Sequence, residues 1–344
     1  MLVAKSKRFG DELNLSKKAA FGPAPCPPVL WLSAGKISLA TCSDSSYTRA
    51  PGQHPSAGRG WIEAAFCFSD LGAASYHSEG QRESTESIMA QPHNGYQQDH
   101  AEADITIWKE ALFGADLFLL HASPVYYGLG IPHGDGSGVV LVPGFLGTDR
   151  YLTRLRSWLQ RIGYRAYFSG IGLNADCPNI LIKRRLSENI EKALMETERK
   201  IHLIGHSLGG IIVRSVANQR PDDIASVIML ASPFRGTVAH RTVLHATEHV
   251  REQILALHGA EVLPTCYTGR CTCNFLDSLR RKVPNSVMET AIYTRNDGVV
   301  DWRYCVTGNP DNDFEVPGTH IGLAFNSSAY TIIANRLAQA HSDE

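Results

Sequence analysis

The chain has 344 residues, enough for one large domain or two ordinary ones. Its formal net charge of −1 at pH 7, with no long run of one sign, removes the electrostatic case for a nucleic acid or an anionic membrane as partner. No apolar stretch approaches the ~18 residues that cross a bilayer, and no apolar core of ~7–15 residues follows the basic N-terminus. No transmembrane segment or secretory signal is read, and the expected location is cytoplasmic.

Ser, Gly and Pro make up about 30% of residues 1–88, and neither helical nor strand period is sustained there. Residues 1–88 are therefore expected to be a disordered extension, with Met89 as a candidate true start and 89–344 as the folded domain. Of eight cysteines, Cys26, Cys42 and Cys67 lie in that weak region. Cys266, Cys271 and Cys273 cluster, with Cys177 and Cys305 apart and no paired Cys-x-x-Cys spacing for a structural zinc site. Cys271 and Cys273 can each join a disulfide in an oxidising compartment; reduced thiols are the preferred reading.

From Ile105 the pattern changes. Ile105, Trp108, Ala111, Leu112, Leu117 and Leu120 favour a helix interrupted near Gly114. Residues 138–143, GVVLVP, read as a buried parallel strand. Gly144 to Gly147 form a loop, and Thr148 or Asp149 can cap the next helix. That helix carries Leu152, Leu155, Leu159 and Ile162 and ends at Gly163. Residues 164–168 are a second strand, and Leu181, Ile182, Leu186, Ile190 and Leu194 mark another helix.

Residues 200–213, KIHLIGHSLGGIIV, combine a β-branched run, a glycine break and a helix-compatible continuation. Gly-x-Ser-x-Gly at such a junction is a nucleophile elbow, and it puts Ser207 forward as nucleophile. Small residues on either side let strand and helix pass close to a strained serine. Alternation then continues: strands over 225–230, 287–293 and 314–316, and a helix within 326–340. Strands alternating with helices over some 230 residues predict an α/β fold, a mostly parallel sheet flanked by helices. Residues 237–284 are too long for a simple crossover and are expected to form a lid or cap.

A serine hydroxyl needs a base, and the base needs a carboxylate to hold its tautomer. Asp297 stands where the 287–293 strand gives way to a turn and is favoured over Asp301. His320, in a glycine-flanked loop between the last strand and the last helix, suits the base. An oxyanion requires two backbone N–H groups. Leu208, directly after the serine, offers one, and Phe145 in the 143–147 loop offers the other.

These segments together resemble the α/β-hydrolase fold family, in its bacterial lipase and esterase branch. GHSLGG matches the elbow, and VLVPGFLGTD is similar to the oxyanion strand and loop. ASPFRGT resembles the strand exit after the elbow, YTRNDGVVDW the acid loop, and GTHIGL the histidine loop. The resemblance covers about 105–340. It implies Ser207, Asp297 and His320 as nucleophile, acid and base, with Phe145 and Leu208 as oxyanion donors. Many lipases have His-Gly where this chain has Pro143 and Gly144, a departure that bears on the detailed hole geometry.

The expected function is therefore a serine carboxylic-ester hydrolase acting on a small-molecule or lipid ester through an acyl-enzyme, with no metal or organic cofactor. The alternatives are an acyltransferase, a long-chain triacylglycerol lipase, or an inactive hydrolase-fold binding module. His245, Glu248 and His249 match a zinc-peptidase pattern. They project away from the apolar stripe of Val243, Ala246, Val250, Ile254 and Leu257, so that helix is read as lid. Oligomeric state is not legible.

Overall fold

The computed structural model describes residues 29–33, 36–40 and 101–342. The chain divides into two units, Met1–His77 and Ser78–Glu344. In the first, strands β1 (Val29–Ser33) and β2 (Lys36–Ala40) form an antiparallel hairpin. Only Ala34 and Gly35 separate them in sequence, so two short runs with too little period to register singly can still pair with each other. The rest of the expected extension, including Met89, lies outside the described residues.

The second unit is built on a six-stranded, wholly parallel sheet in the order β10-β9-β7-β6-β4-β5. Its strands are β4 (Gly138–Val142), β5 (Arg165–Phe168), β6 (Ile201–His206), β7 (Ile224–Leu230), β9 (Met288–Tyr293) and β10 (Asp313–Glu315). Every residue of β4, β6 and β7 is buried, because helices cover both faces. Side chains alternate between two cores. Val140 and Val142 pack with Leu186, Ile190, Ile212 and Leu276, while Val139 and Leu141 pack with Leu155, Trp158, Ile333 and Leu337.

Helices α2 (Thr153–Arg161), α4 (Ser187–Thr197), α5 (Leu208–Gln219), α7 (Asn274–Leu279) and α8 (Ser327–Ser342) supply those layers. Leu152, Leu155, Leu159 and Ile162 are buried together with Trp158. The helix from Pro178 contains a short α3 (Pro178–Leu181) and a π-helical turn (Ile182–Leu186) before α4.

Expected details differ at the start of α2 and in the 105–120 stretch. Neither Thr148 nor Asp149 caps the helix start by its side chain. Asp149 instead accepts hydrogen bonds from the N–H and hydroxyl of Ser169 and the N–H of Gly170, tying the β4 loop to the β5 exit. The 105–120 stretch forms a 3-10 helix (Ile107–Leu112) and then α1 (Phe113–Ala122), unbroken at Gly114. Its apolar Trp108 and Leu112 are exposed, and its buried residues are Glu110, Asp116 and Leu120.

The 237–284 segment begins with β8 (Val238–Ala239), which pairs with β3 (Ala101–Glu102), and continues as α6 (Arg241–His258). Val250 and Ile254 of α6 pack with Cys177, Ile180, Val262 and Cys266, and with Phe145. Leu257 departs from the expected stripe and is exposed, and Leu255 joins the contact instead. His245 and His249 are exposed, and Glu248 pairs with Arg251. Among the described residues, no helix is long and apolar enough to cross a membrane.

Trp158 anchors the core on one face of the sheet. It is fully buried, stacks 4.4 Å from the Tyr330 ring and donates its indole N–H to the Val125 carbonyl at 2.8 Å. Trp158→Ala is expected to destabilise the protein by roughly 3–5 kcal/mol, measured by urea unfolding.

Candidate active site

β6 turns directly into α5, with Ser207 on the junction at φ 52° and ψ −121°. A left-handed φ is strained for serine, so surrounding packing must enforce it. A Cβ on Gly205 would lie 2.3 Å from the Gly209 carbonyl carbon, and one on Gly209 would lie 2.2 Å from the Val142 oxygen. Both glycines are therefore needed for strand, helix and neighbouring β4 to approach so closely. The Ser207 N–H donates to the Leu230 carbonyl at 2.8 Å, fixing the junction against β7.

The loop after β4 lies over this elbow. A Cβ on Gly144 would lie 3.1 Å from Ser207 Cβ, so the start of the loop passes directly beside the serine. Asn174, fully buried, pins the loop: its side-chain amide donates to the Pro143 carbonyl at 2.8 Å. Its own carbonyl accepts from Leu146 N–H at 2.9 Å, and its N–H donates to the Gly147 carbonyl at 2.9 Å. Leu208 is the first residue of α5, where a helix leaves its leading N–H groups without intrahelical acceptors.

Asp297 and His320 meet beyond the ends of β9 and β10. His320 Nδ1–H donates to Asp297 Oδ2 at 2.8 Å, with both side chains buried. The other oxygen, Oδ1, accepts from the N–H groups of Val299 and Val300, each at 2.8 Å, which orients the carboxylate. Asp301 faces elsewhere. It caps the short helix Trp302–Tyr304 through Arg303 N–H and forms an ion pair with the Arg303 guanidinium. Thr294 Oγ1 donates to the Gly318 carbonyl at 3.0 Å, joining the acid strand to the histidine loop.

The elbow reaches the same loop through His206. Its Nε2–H donates to the His320 carbonyl at 2.9 Å, and the two rings lie 5.0 Å apart. Tyr151 adds a hydroxyl bond to the Ile321 carbonyl at 2.6 Å. From the N-terminal 3-10 helix, the buried Glu110 carboxylate accepts from Gly298 N–H at 2.8 Å, His320 N–H at 3.0 Å and Ile321 N–H at 2.8 Å.

These surroundings push the two imidazoles apart. Burial lowers His206 to about 3, reinforced by the nearby His320, so it stays neutral. Burial also opposes charge on His320, but the Asp297 charge and hydrogen bond, with Glu110 behind them, outweigh it and raise the imidazole above its ordinary 6.5. His320 is thus built to hold a proton well, and His206 to refuse one.

Ser207 and Leu208 form the elbow, Gly144 lies against it next to Phe145 in sequence, and Asp297 and His320 form a pair bonded to it through His206. Glu110, Asn174 and Tyr151 were not legible as site residues. Glu110 lies 188 and 210 positions from two of its partners, and it bonds backbone groups, so no local motif marks it. Of the cysteines, Cys177, Cys266, Cys271, Cys273 and Cys305 are free thiols. Cys177 and Cys266 lie together in the apolar cluster beneath α6. Among the described residues, no group of His, Cys, Asp and Glu is arranged to hold a metal ion.

A parallel sheet whose central strand ends in a strained, glycine-flanked serine gives the chain the α/β-hydrolase fold. Residues 138–294 match the palmitoyl protein thioesterase family. Triacylglycerol lipases of Pseudarthrobacter phenanthrenivorans and Burkholderia plantarii are each 33% identical over 107 residues, covering 29% of this chain and 34% and 30% of theirs. The chain thus spans about a third of the length of the curated relatives it matches. Among solved structures, the Paleococcus ferrophilus monoacylglycerol lipase superposes with a TM-score of 0.40 at 16% identity, over 60% of this chain and 96% of that one. A soluble variant of the Saccharomyces cerevisiae monoglyceride lipase gives 0.41 at 16% identity, over 61% and 88%. By its elbow and its sequence matches, the chain resembles the lipases and esterases of the α/β-hydrolase fold.

The paired imidazoles have opposite consequences for stability. The contribution of His206 is fully present above 6.5 and is lost as pH falls from there towards 3. That of His320 is fully present below 6.5 and fades as pH rises through its raised value. His206→Phe is expected to flatten the acid side of the stability profile between pH 6.5 and 3, by up to about 1.4 kcal/mol per pH unit. Urea unfolding at a series of pH values measures it.

Proposed function

We propose that the protein is a serine hydrolase of carboxylic esters. The observation that carries this reading is the buried 2.8 Å bond from His320 Nδ1–H to Asp297 Oδ2, on a loop bonded to the elbow of Ser207 through His206. That bond fixes the tautomer in which Nε2 is unprotonated and free to accept the serine proton. Ser207 Oγ attacks the acyl carbonyl as its proton passes to His320 Nε2. The imidazolium so formed is stabilised by Asp297, and the oxyanion by the N–H groups of Phe145 and Leu208. His320 returns the proton to the leaving alcohol. Water, deprotonated by the same imidazole, then releases the acid and restores the serine.

Residues 237–284 form the cap in this proposal. Val250 and Ile254 of α6 reach the apolar cluster that includes Phe145, so the acyl chain would lie near the junction of cap and oxyanion loop. A thioester is a second reading, favoured by the match of residues 138–294 to the palmitoyl protein thioesterase family. The same acyl-enzyme serves both, because the leaving group departs before water enters.

Ser207→Ala is expected to abolish hydrolysis of p-nitrophenyl esters without lowering the melting temperature. Asp297→Asn should reduce kcat on the order of 10³- to 10⁴-fold; Asp301→Asn should act mainly on stability. Activity should fall with acid, as His320 gains its proton, with a midpoint above 6.5. Full turnover by Ser207→Ala would refute the assignment. A panel of acyl oxyesters and thioesters of graded chain length distinguishes the two substrate readings.

A further inference from the structure

We infer that Glu110 is a positioning residue that holds the acid loop and the histidine loop in one catalytic geometry; this rests on the reading of Ser207, His320 and Asp297 given above. Glu110 belongs to neither loop. It comes from the 3-10 helix Ile107–Leu112, ahead of the sheet in sequence, and enters the protein 6% exposed. One carboxylate oxygen, Oε1, receives Gly298 N–H, next to Asp297, and also His320 N–H. The second, Oε2, receives Ile321 N–H. Three N–H donors on a single buried group suit the ionised carboxylate and make the bonds charge-assisted.

The chain is shaped around this contact. A Cβ on Gly298 would lie 2.8 Å from Glu110 Oε1, so glycine keeps the acid loop open to it. Asp116, one helix further on, flanks the histidine loop through Thr319 and Asn326, each at 3.4 Å. The two carboxylates explain why this helical segment turns polar residues inward and leaves Trp108 and Leu112 outside.

Removing the carboxylate has two consequences. The acid and base loops lose their shared anchor, and His320 loses one of the negative charges that face it. The titratable groups around that imidazole are Asp297 from the acid loop, Glu110 from the 3-10 helix and His206 from the elbow. Tyr151 and Asp116 lie against the flanking Ile321 and Thr319.

The test is the rate at which a fluorophosphonate labels the serine of the full chain, followed across pH for wild type, Ser207→Ala, Glu110→Gln and Glu110→Asp, with thermal melts of each. Glu110→Gln should label on the order of 10- to 100-fold more slowly at the plateau, and its acid limb should move to lower pH. Glu110→Asp retains the charge at a shorter reach, so its limb should stay while its plateau falls; it decides the matter if Glu110→Gln does not fold. Wild-type rates with an unmoved limb in both variants would overturn the inference, as would a lowered melting temperature with unchanged labelling. Labelling of Ser207→Ala at the wild-type rate would instead overturn the nucleophile reading, whatever Glu110 does.

Discussion

The structure depends on one close approach. β6 must turn into α5 within a single residue while β4 passes alongside, and there is no room for a Cβ at Gly205 or Gly209. Ser207 takes up the strain in its left-handed backbone, and the hydrogen bond to Leu230 holds it there. Everything proposed for the chemistry follows from this junction. The serine is set at the carboxyl end of the central strand, the α5 N-terminus points past it, and the Gly144 loop is pressed onto it.

The second requirement is to bring distant loops to that point without burying bare polar groups. Backbone amides at the ends of β9 and β10 cannot join the sheet, and desolvating them unpaired would cost about 1–3 kcal/mol each. The protein supplies acceptors from elsewhere: Asp297 for Val299 and Val300, Glu110 for Gly298, His320 and Ile321. The Asn174 side-chain amide donates to the Pro143 carbonyl at the Phe145 loop, and Tyr151 and His206 donate to the carbonyls of Ile321 and His320. The site is therefore rigid because its loops satisfy one another.

Strong periodicity made the central elements legible. GVVLV and IHLIGH are buried throughout because both faces of the sheet are covered, and the helix between them buries one apolar stripe against it. The 105–120 segment was harder, since its pattern suggests an apolar buried face whereas Glu110 and Asp116 turn inward. The stripe of α6 departs in a similar way at Leu257, which is exposed while Leu255 packs on the cluster. The β1–β2 hairpin escaped because its strands gain regularity only from each other.

What the sequence by itself determined was the elbow, the alternating strands and helices, and the identities of Ser207, Asp297, His320, Phe145 and Leu208 as candidates. These rest on local signals: glycine spacing, apolar period and the position of a polar residue at a strand end. What only the tertiary structure decided was which aspartate meets His320, which way Asp149 turns, and that Glu110 binds two loops roughly 200 residues downstream. The contacts of Asp149 and Glu110 with N–H groups join side chains to backbone groups that any residue carries, and the choice between Asp297 and Asp301 depends on where the loop turns each carboxylate. Nothing in the partner's identity announces them, and they exist only once the sheet has brought the loops together.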